Sequence, residues 1–379
     1  DLHGVHRRQR QMCIRDRAGS IMNSAGISRR LIAFASALVG FIKGGLSMIN
    51  IATSMFFAEI SGSAVADVAA LGSILIPAMK KKGYPGAFAA AVTSSSASLA
   101  IIIPPSIPMI VYAVMSQSSV VQLFVAGIIP GVIGGFFLML AAYVTARKKN
   151  FPVEETFNIP NVKKTAKDAA LAFLLPVIIL GGIFGGVVTA TEGAGLAVVA
   201  SLVIGFIYKE IDFKRLYESA CEGAIQTASV MLLVAASVLL GEFLTIEQIP
   251  QKVAESIIEF TNNKYAVLGI LNIFLLIIGF FLHSVAAIIL TVPIVMPLVN
   301  AVGIDPVHFG IIVTLNLAIG QQTPPVASVL VTACSVAKAD IWDVTRSNIS
   351  FICVLLVLLL LVTYVPAIPM TLVEYFYRS

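Results

Sequence analysis

Apolar residues fill long, nearly uninterrupted blocks separated by short polar or basic turns, a pattern that fits neither alternating strands nor one-sided soluble helices. A membrane core about 30 Å thick needs about 20 apolar residues per span. The pattern therefore predicts an all-α polytopic membrane protein, with room for about ten spans or half-spans. Two blocks depart from simple spanning. The 36 residues between Lys43 and Lys80 are too many for one span and are flanked by lysine at both ends. They are expected to enter and leave on one side as a re-entrant hairpin with its tip at Ser61–Ser63, since non-helical backbone at membrane depth survives only where protein or a cavity satisfies it. The segment from Tyr84 to Tyr112 is expected to cross but to break at Pro104 and Pro105, which supply no N–H and free carbonyls. Later in the chain the same two features are expected at His283–Ser284 and around Thr323. Between them, Lys163 to Lys167 are expected to precede two scaffold spans, Ala169–Val188 and Gly193–Tyr208, and a helix from about Leu216.

The two sets of features are in register. Ser63, Pro77, Pro85, Phe88 and Pro104-Pro105 fall 220 or 221 positions before Ser284, Pro297, Pro306, Phe309 and Pro324-Pro325. Step-matched prolines point to an internal repeat. The turns of the first copy read basic at Lys80, uncharged from Ser116 and basic at Arg147; those of the second read NAVGID, then Lys338 to Arg346, then the uncharged PAIPM. The alternation is opposite, so the rule that cytoplasmic loops carry Lys and Arg predicts two repeats of inverted topology, a layout found among secondary carriers. The expected division is a leader at 1–17, a first repeat at 28–149, connecting scaffold at 150–249 and a second repeat at 250–379.

Composition sharpens this picture. The chain is 58% hydrophobic and 12% charged, with a mean hydropathy of +0.96, against about 45–50% and about 25% in soluble domains. A net charge of +5 and a pI near 9.0 would suit nucleic acid, but Lys and Arg sit at the ends of apolar runs, as membrane topology requires. Cys221, Cys334 and Cys353 lack CxxC spacing and read as buried, inert thiols rather than metal or redox groups. Residues 1–17 are polar and Arg-dense; MCIRDR within them looks like translated adapter sequence, so they are set outside the fold.

An ionisable group inside the bilayer is costly and therefore a functional candidate. Glu59, Asp67, Glu192, Glu242 and His283 qualify. Asp67 stands one helical turn beyond Ser63, from which its carboxylate either caps the hairpin turn or serves a bound species. Hydroxyls and freed carbonyls at the breaks suit a small hard cation: Ser61 and Ser63 with the carbonyls before Pro104 in one place, Ser284, Gly320 and Thr323 in the other. Helix N-termini at the same breaks offer N–H groups to a carboxylate. The competing reading is that these hydroxyls only satisfy their own helices.

The run SGSAVADVAALGSILIPAMKKKGYPGAFAAAVT, then IIPPSIPM, LPVIILGGIFGGVVTATEGA, GIDPVHFGIIVTLNLAIGQQTPPV and TYVPAIP, resembles the large membrane subunit of TRAP (tripartite ATP-independent periplasmic) transporters, the DctM type. The resemblance covers roughly Ser28 to the C-terminus. It implies an elevator-type carrier of the ion-transporter superfamily in a bacterial inner membrane, coupled to Na+, working with a small membrane subunit and a periplasmic solute-binding protein. The substrate it implies is a C4-dicarboxylate, sialic acid or other sugar acid. It implies one Na+ site at Ser61, Ser63, Ala100, Ile103 and Pro105 beside Asp67, and a second at His283, Ser284, Gly320, Thr323 and Pro325. Substrate would lie near Ser63, Ser96, Ser106, Asn316 and Thr323. The chain departs from the family in having Ala100-Ile101 for a usual Gly-Pro, and His283 where an acid is common, which predicts proton sensitivity at the second site. The family also has further helices before the position of Ser28. No organic cofactor is implied. Two other readings are a stand-alone divalent-anion/Na+ symporter of the same superfamily and an intramembrane hydrolase using Ser63 as nucleophile and His283 as base.

Overall fold

A computed structural model describes residues 27–153, 158–188 and 246–377, apart from residue 262, together with isolated positions between 192 and 243. Every regular element among them is helical. Helix α1 (Ile27–Val39) leads through a left-handed Gly44 (φ 78°) into α2 (Gly45–Ser61). A Cβ on Gly44 would come within 2.4 Å of the Ala146 Cβ, so the turn is pressed onto a later helix. Helix α2 stops where Gly62 turns left-handed at φ 58° and returns its N–H to Ala58 O, the ending that glycine permits at no Cβ cost. After one extended residue, Ser63, helix α3 (Ala64–Lys81) runs back, with Lys80 and Lys81 in its last turn, where the helix dipole favours cations.

Helix α4 (Gly86–Ala97) tightens into a 3₁₀ turn over Ser98–Ile101 and then leaves helical geometry until α5 (Ile107–Ser116). The Pro104-Pro105 and Pro324-Pro325 peptide bonds are both cis. Ser119 caps α6 (Val120–Lys148) by accepting the Gln122 N–H. The remaining helices are α7 (Ile159–Phe184), α8 (Ile249–Phe260), α9 (Lys264–Phe281), α10 (Ser284–Ala301), α11 (Pro306–Gly320), α12 (Ser328–Ala337), α13 (Ile341–Tyr364) and α14 (Ala367–Tyr377). Asp305 and Asp340 cap α11 and α13, each accepting two backbone N–H groups, as N-cap acids do.

Among the described residues α6, α9, α10 and α13 are long and apolar enough to cross a membrane. Their outer faces carry large apolar side chains, among them Phe136, Leu140, Ile273 and Leu360, an arrangement suited to lipid rather than water. The chain is a polytopic membrane protein, all-helical among the described residues.

Two helices form the centre. Helix α4 is buried at every residue from Phe88 to Ala97, and its small side chains let α2, α3, α12 and α13 pack closely around it, the usual basis of helix association in lipid. Helix α11 is buried from Val307 to Gly320 and touches α5, α6, α9, α10 and α13. The packing interleaves early and late elements: α3 lies along α12, and α10 lies along α5.

Three expectations need correction or lie out of view. Lys163 to Lys167 lie inside α7, which starts at Ile159 rather than at the apolar run from Ala169, because lysine is a good helix former and Pro160 supplies a first-turn start. Of the three cysteines taken as buried, only Cys334 is; Cys221 and Cys353 are exposed, since an apolar neighbourhood in sequence also describes the outward face of a membrane helix. The leader, Glu242 and most of Gly193–Tyr208 and the helix from Leu216 lie outside the described residues.

Candidate functional site

The tip of the α2–α3 hairpin rests directly on the break between α4 and α5. The Ile107 N–H donates to Gly62 O at 3.4 Å, and a Cβ on Gly62 would lie 2.9 Å from Pro105 O. The structure thus brings Ser61 and Ser63 together with Pro105 and Ser106. Within the tip, the Ser61 hydroxyl donates to one carboxylate oxygen of Asp67 and accepts the Ser63 N–H at 3.3 Å. Asp67 is fully buried, and its second oxygen, Oδ2, has no hydrogen-bond partner. One oxygen therefore serves the turn while the other is left open, which costs free energy unless a donor or cation supplies the deficit. On the opposite side of the break, Ser106 donates to Ile101 O at 2.7 Å, the Ile103 N–H returns to Leu99 O, and Ala100 is fully buried.

A second junction joins the α9–α10 tip to the break between α11 and α12. The Val326 N–H donates to Phe280 O at 3.2 Å. A Cβ on Gly320 would fall 2.5 to 2.8 Å from the Gly279 backbone, so the two main chains touch here through paired glycines. Ser284 opens α10 and is buried, whereas His283, the residue before it, is exposed. Thr323 spends its hydroxyl on Ile319 O at 3.0 Å, and Pro325 is exposed.

The other named residues divide between two buried polar networks. Ser96 accepts from Ser54 at 2.9 Å and reaches Asn50 Oδ1 at 3.3 Å, while the Asn50 amide donates to Thr93 at 2.7 Å. Asn316 donates to Asn272 Oδ1 at 2.7 Å, and Asn272 donates to Thr363 at 3.0 Å. Each ties the first arm of a hairpin to the first half of a broken helix, α2 to α4 and α9 to α11. A further cluster crosses between early and late helices: Ser95 bonds Gln322 Oε1 at 2.8 Å and Asn348 Oδ1 at 2.6 Å. Ser63 and Ser106 therefore meet at the first junction, whereas Ser96 and Asn316 are engaged in separate networks. Glu59 is half-buried and Glu192 exposed.

Residues 18–368 match the family model of the tripartite ATP-independent periplasmic transporter, DctM component. The chain belongs to this DctM family. It is 42% identical over 355 residues to the isethionate TRAP transporter permease protein DctMQ of Oleidesulfovibrio alaskensis, covering 93% of the chain but 56% of that protein. It is 39% identical to the C4-dicarboxylate TRAP transporter large permease protein DctM of Pseudomonas aeruginosa, covering 94% and 83% respectively. It is 36% identical to the sialic acid TRAP transporter large permease protein SiaM of Vibrio cholerae, covering 94% and 84%. The chain thus spans little more than half of DctMQ and most of the other two.

These relatives are named as permeases, and this DctM chain is a transporter permease rather than an enzyme. The nucleophile-and-base reading of Ser63 and His283 is set aside. Four residues with prominent placements in the DctM structure escaped the sequence reading: Asn50, Asn272, Gln321 and Asn348. The available signal was the amide itself, since an uncharged polar side chain inside an apolar membrane helix requires a partner.

Proposed function

We propose that this DctM chain is the transporting subunit of a Na+-coupled carrier for a small organic anion, moving its cargo where the two hairpin tips meet the two helix breaks. The observation that carries the reading is the pair of junctions, Gly62 on Pro105 and Ile107, and Gly279 and Phe280 on Gly320 and Val326. Each puts unwound backbone, hydroxyls and helix ends in one place, the combination that holds cations and carboxylates inside membranes. Asp67, with one open carboxylate oxygen, and Ser61 and Ser63 are assigned to a first sodium ion, with carbonyls from Ala100, Ile103 and Pro105. Ser284, Gly320 and Thr323 are assigned to a second, with His283 and Pro325 at its edge. Substrate lies between, near Ser63 and Ser106, with Ser96 and Asn316 supporting the walls.

Inverted repeats are part of the proposal. Helices α3 and α10 are each 18 residues long with starts 220 residues apart, and α5 and α12 are each 10 residues long with starts 221 apart. The exchanged packing of α3 with α12 and α10 with α5 is what a two-fold axis in the membrane plane would generate. Elevator movement, a bacterial inner-membrane location and partnership with a small membrane subunit and a periplasmic solute-binding protein are part of the same proposal, supported by family membership. The named substrates of the three relatives, isethionate, C4-dicarboxylate and sialic acid, support the reading of the cargo as a small organic anion.

The test is uptake into proteoliposomes under an imposed Na+ gradient, with the neighbouring small subunit and binding protein supplied. Uptake of an organic anion that disappears without Na+ or without the binding protein is expected. Uptake indifferent to the binding protein would favour a stand-alone anion/Na+ symporter, and uptake indifferent to Na+ would remove the coupling assignment.

A further inference from the structure

Gln321 is only 2% exposed, yet both its side-chain Oε1 and Nε2 lack any hydrogen-bond partner. Its neighbour Gln322 is the opposite case, with Oε1 accepting from Ser95 and its Nε2 donating to Ala318 O at 3.3 Å. The orphaned amide is not on a loose segment. Its backbone N–H returns to Leu317 O, and its carbonyl accepts the Val329 N–H at 3.2 Å. Gln321 is thereby fixed against the first turn of α12, whose N-cap, Ala327, is left-handed (φ 43°) and gives no side-chain cap. Ser328, the first residue of α12, holds a buried Oγ that is likewise without a partner. On its other flank, the Gly320–Gly279 contact locks the same residues onto the hairpin tip.

A buried amide with both ends unpaired is costly, and a single group that offers a donor and an acceptor together relieves both ends without drawing on the second sodium ion. A carboxylate answers only Nε2, and a cation answers only Oε1. A hydroxyl answers both, accepting from Nε2 and donating to Oε1. Helix α12 has no side-chain cap, and although its Val329 N–H is spent on Gln321 O, the rest of its N-terminus with the Ser328 hydroxyl favours the negative charge.

We propose that Gln321 is a specificity-determining residue that selects hydroxycarboxylates over the corresponding plain carboxylates, by pairing its amide with a substrate hydroxyl while the α12 N-terminus holds the carboxylate. This rests on the carrier reading above and narrows its substrate class.

The test measures binding of two matched pairs, malate with succinate and glycerate with propionate, to the full chain in detergent, for the wild type and for Gln321→Met. In the wild type at least one hydroxylated probe is expected to bind about tenfold tighter than its partner, the yield of two neutral hydrogen bonds. In Gln321→Met, which keeps the volume and deletes the amide, that ratio is expected to fall to about one. The ligand-free variant is expected to melt no lower than the wild type, because it no longer buries an unpaired amide. A wild type with no hydroxyl preference, binding of none of the four probes, or a preference that survives Gln321→Met overturns the assignment, the first two including the case in which the amide is met by water or by an N-acyl group. Sodium-driven uptake of any organic anion, measured alongside, separates the outcomes: its loss in wild type sinks the carrier reading itself, whereas intact uptake with equal probe binding sinks only the role of Gln321.

Discussion

Asp67 brings a carboxylate into a fully buried tip with one hydroxyl, that of Ser61, to answer it. Replacing it by asparagine retains an acceptor for Ser61 and removes the charge. Asp67→Asn is therefore expected to fold, with a melting temperature within a few degrees of wild type, and to raise the Na+ concentration for half-maximal uptake at least about tenfold, the cost of losing a charged ligand to a hard cation. An unchanged sodium dependence would leave Asp67 with the turn-closing role alone. Asn272 is the contrasting case, a residue whose work is internal. It accepts from Asn316 and donates to Thr363, so Asn272→Ala strands both and is expected to destabilise the protein by about 1–3 kcal/mol, measurable as a lowered thermal melting point in detergent. Which residues act through their partners was hidden from the sequence: Asn50 finds Thr93 and Ser95 finds Asn348 across long stretches of chain. No local periodicity encodes pairings at that distance.

At the scale of elements, the junctions depend on the absence of side chains. Gly320→Ala would set a Cβ within 2.5 Å of the Gly279 carbonyl carbon, closer than backbone yields without separating the hairpin from the break. Gly62→Ala would meet Pro105 O at 2.9 Å and would also hold alanine at φ 58°, a left-handed conformation costing about 1–2 kcal/mol. Both variants are expected to insert and fold while losing most sodium-driven uptake; uptake above about half of wild type at equal protein levels would show the junctions to be passive. The family was legible because its motifs lie at these junctions, and the all-helical membrane class was legible from hydropathy, since only helices and closed barrels satisfy their backbones in lipid. Other features were not readable. The start of α7 at Ile159 was missed because charge was read as a boundary, although Lys163 to Lys167 fit a helix that begins in the interface. Cys353 was misassigned because an apolar segment does not reveal which of its faces meets lipid and which meets protein.

For the whole molecule, the decisive measurement is which side of the membrane each helix end faces. Lys81 and Ala301 end α3 and α10 and are both exposed. In a cysteine-free background, Lys81→Cys is expected to react with a membrane-impermeant maleimide only from the cytoplasmic side and Ala301→Cys only from the periplasmic side. Labelling of both from one side would rule out inverted repeats. The interleaving of α3 with α12 and of α5 with α10 is further tightened by the Lys80 ammonium on Ala337 O at 3.0 Å and the Tyr112 hydroxyl on Met296 Sδ at 3.8 Å. This has a consequence for biogenesis. When α5 leaves the ribosome, the late partners of α5 and α3, α10 and α12, are still untranslated, and at roughly 5–20 residues per second the stretch from Ser116 to Ser328 takes on the order of 10–40 s to synthesise. During that interval the first break has the α2–α3 tip against it but not its late neighbours, so the nascent chain is expected to depend on insertase shelter, and stalling translation there is expected to increase its membrane proteolysis.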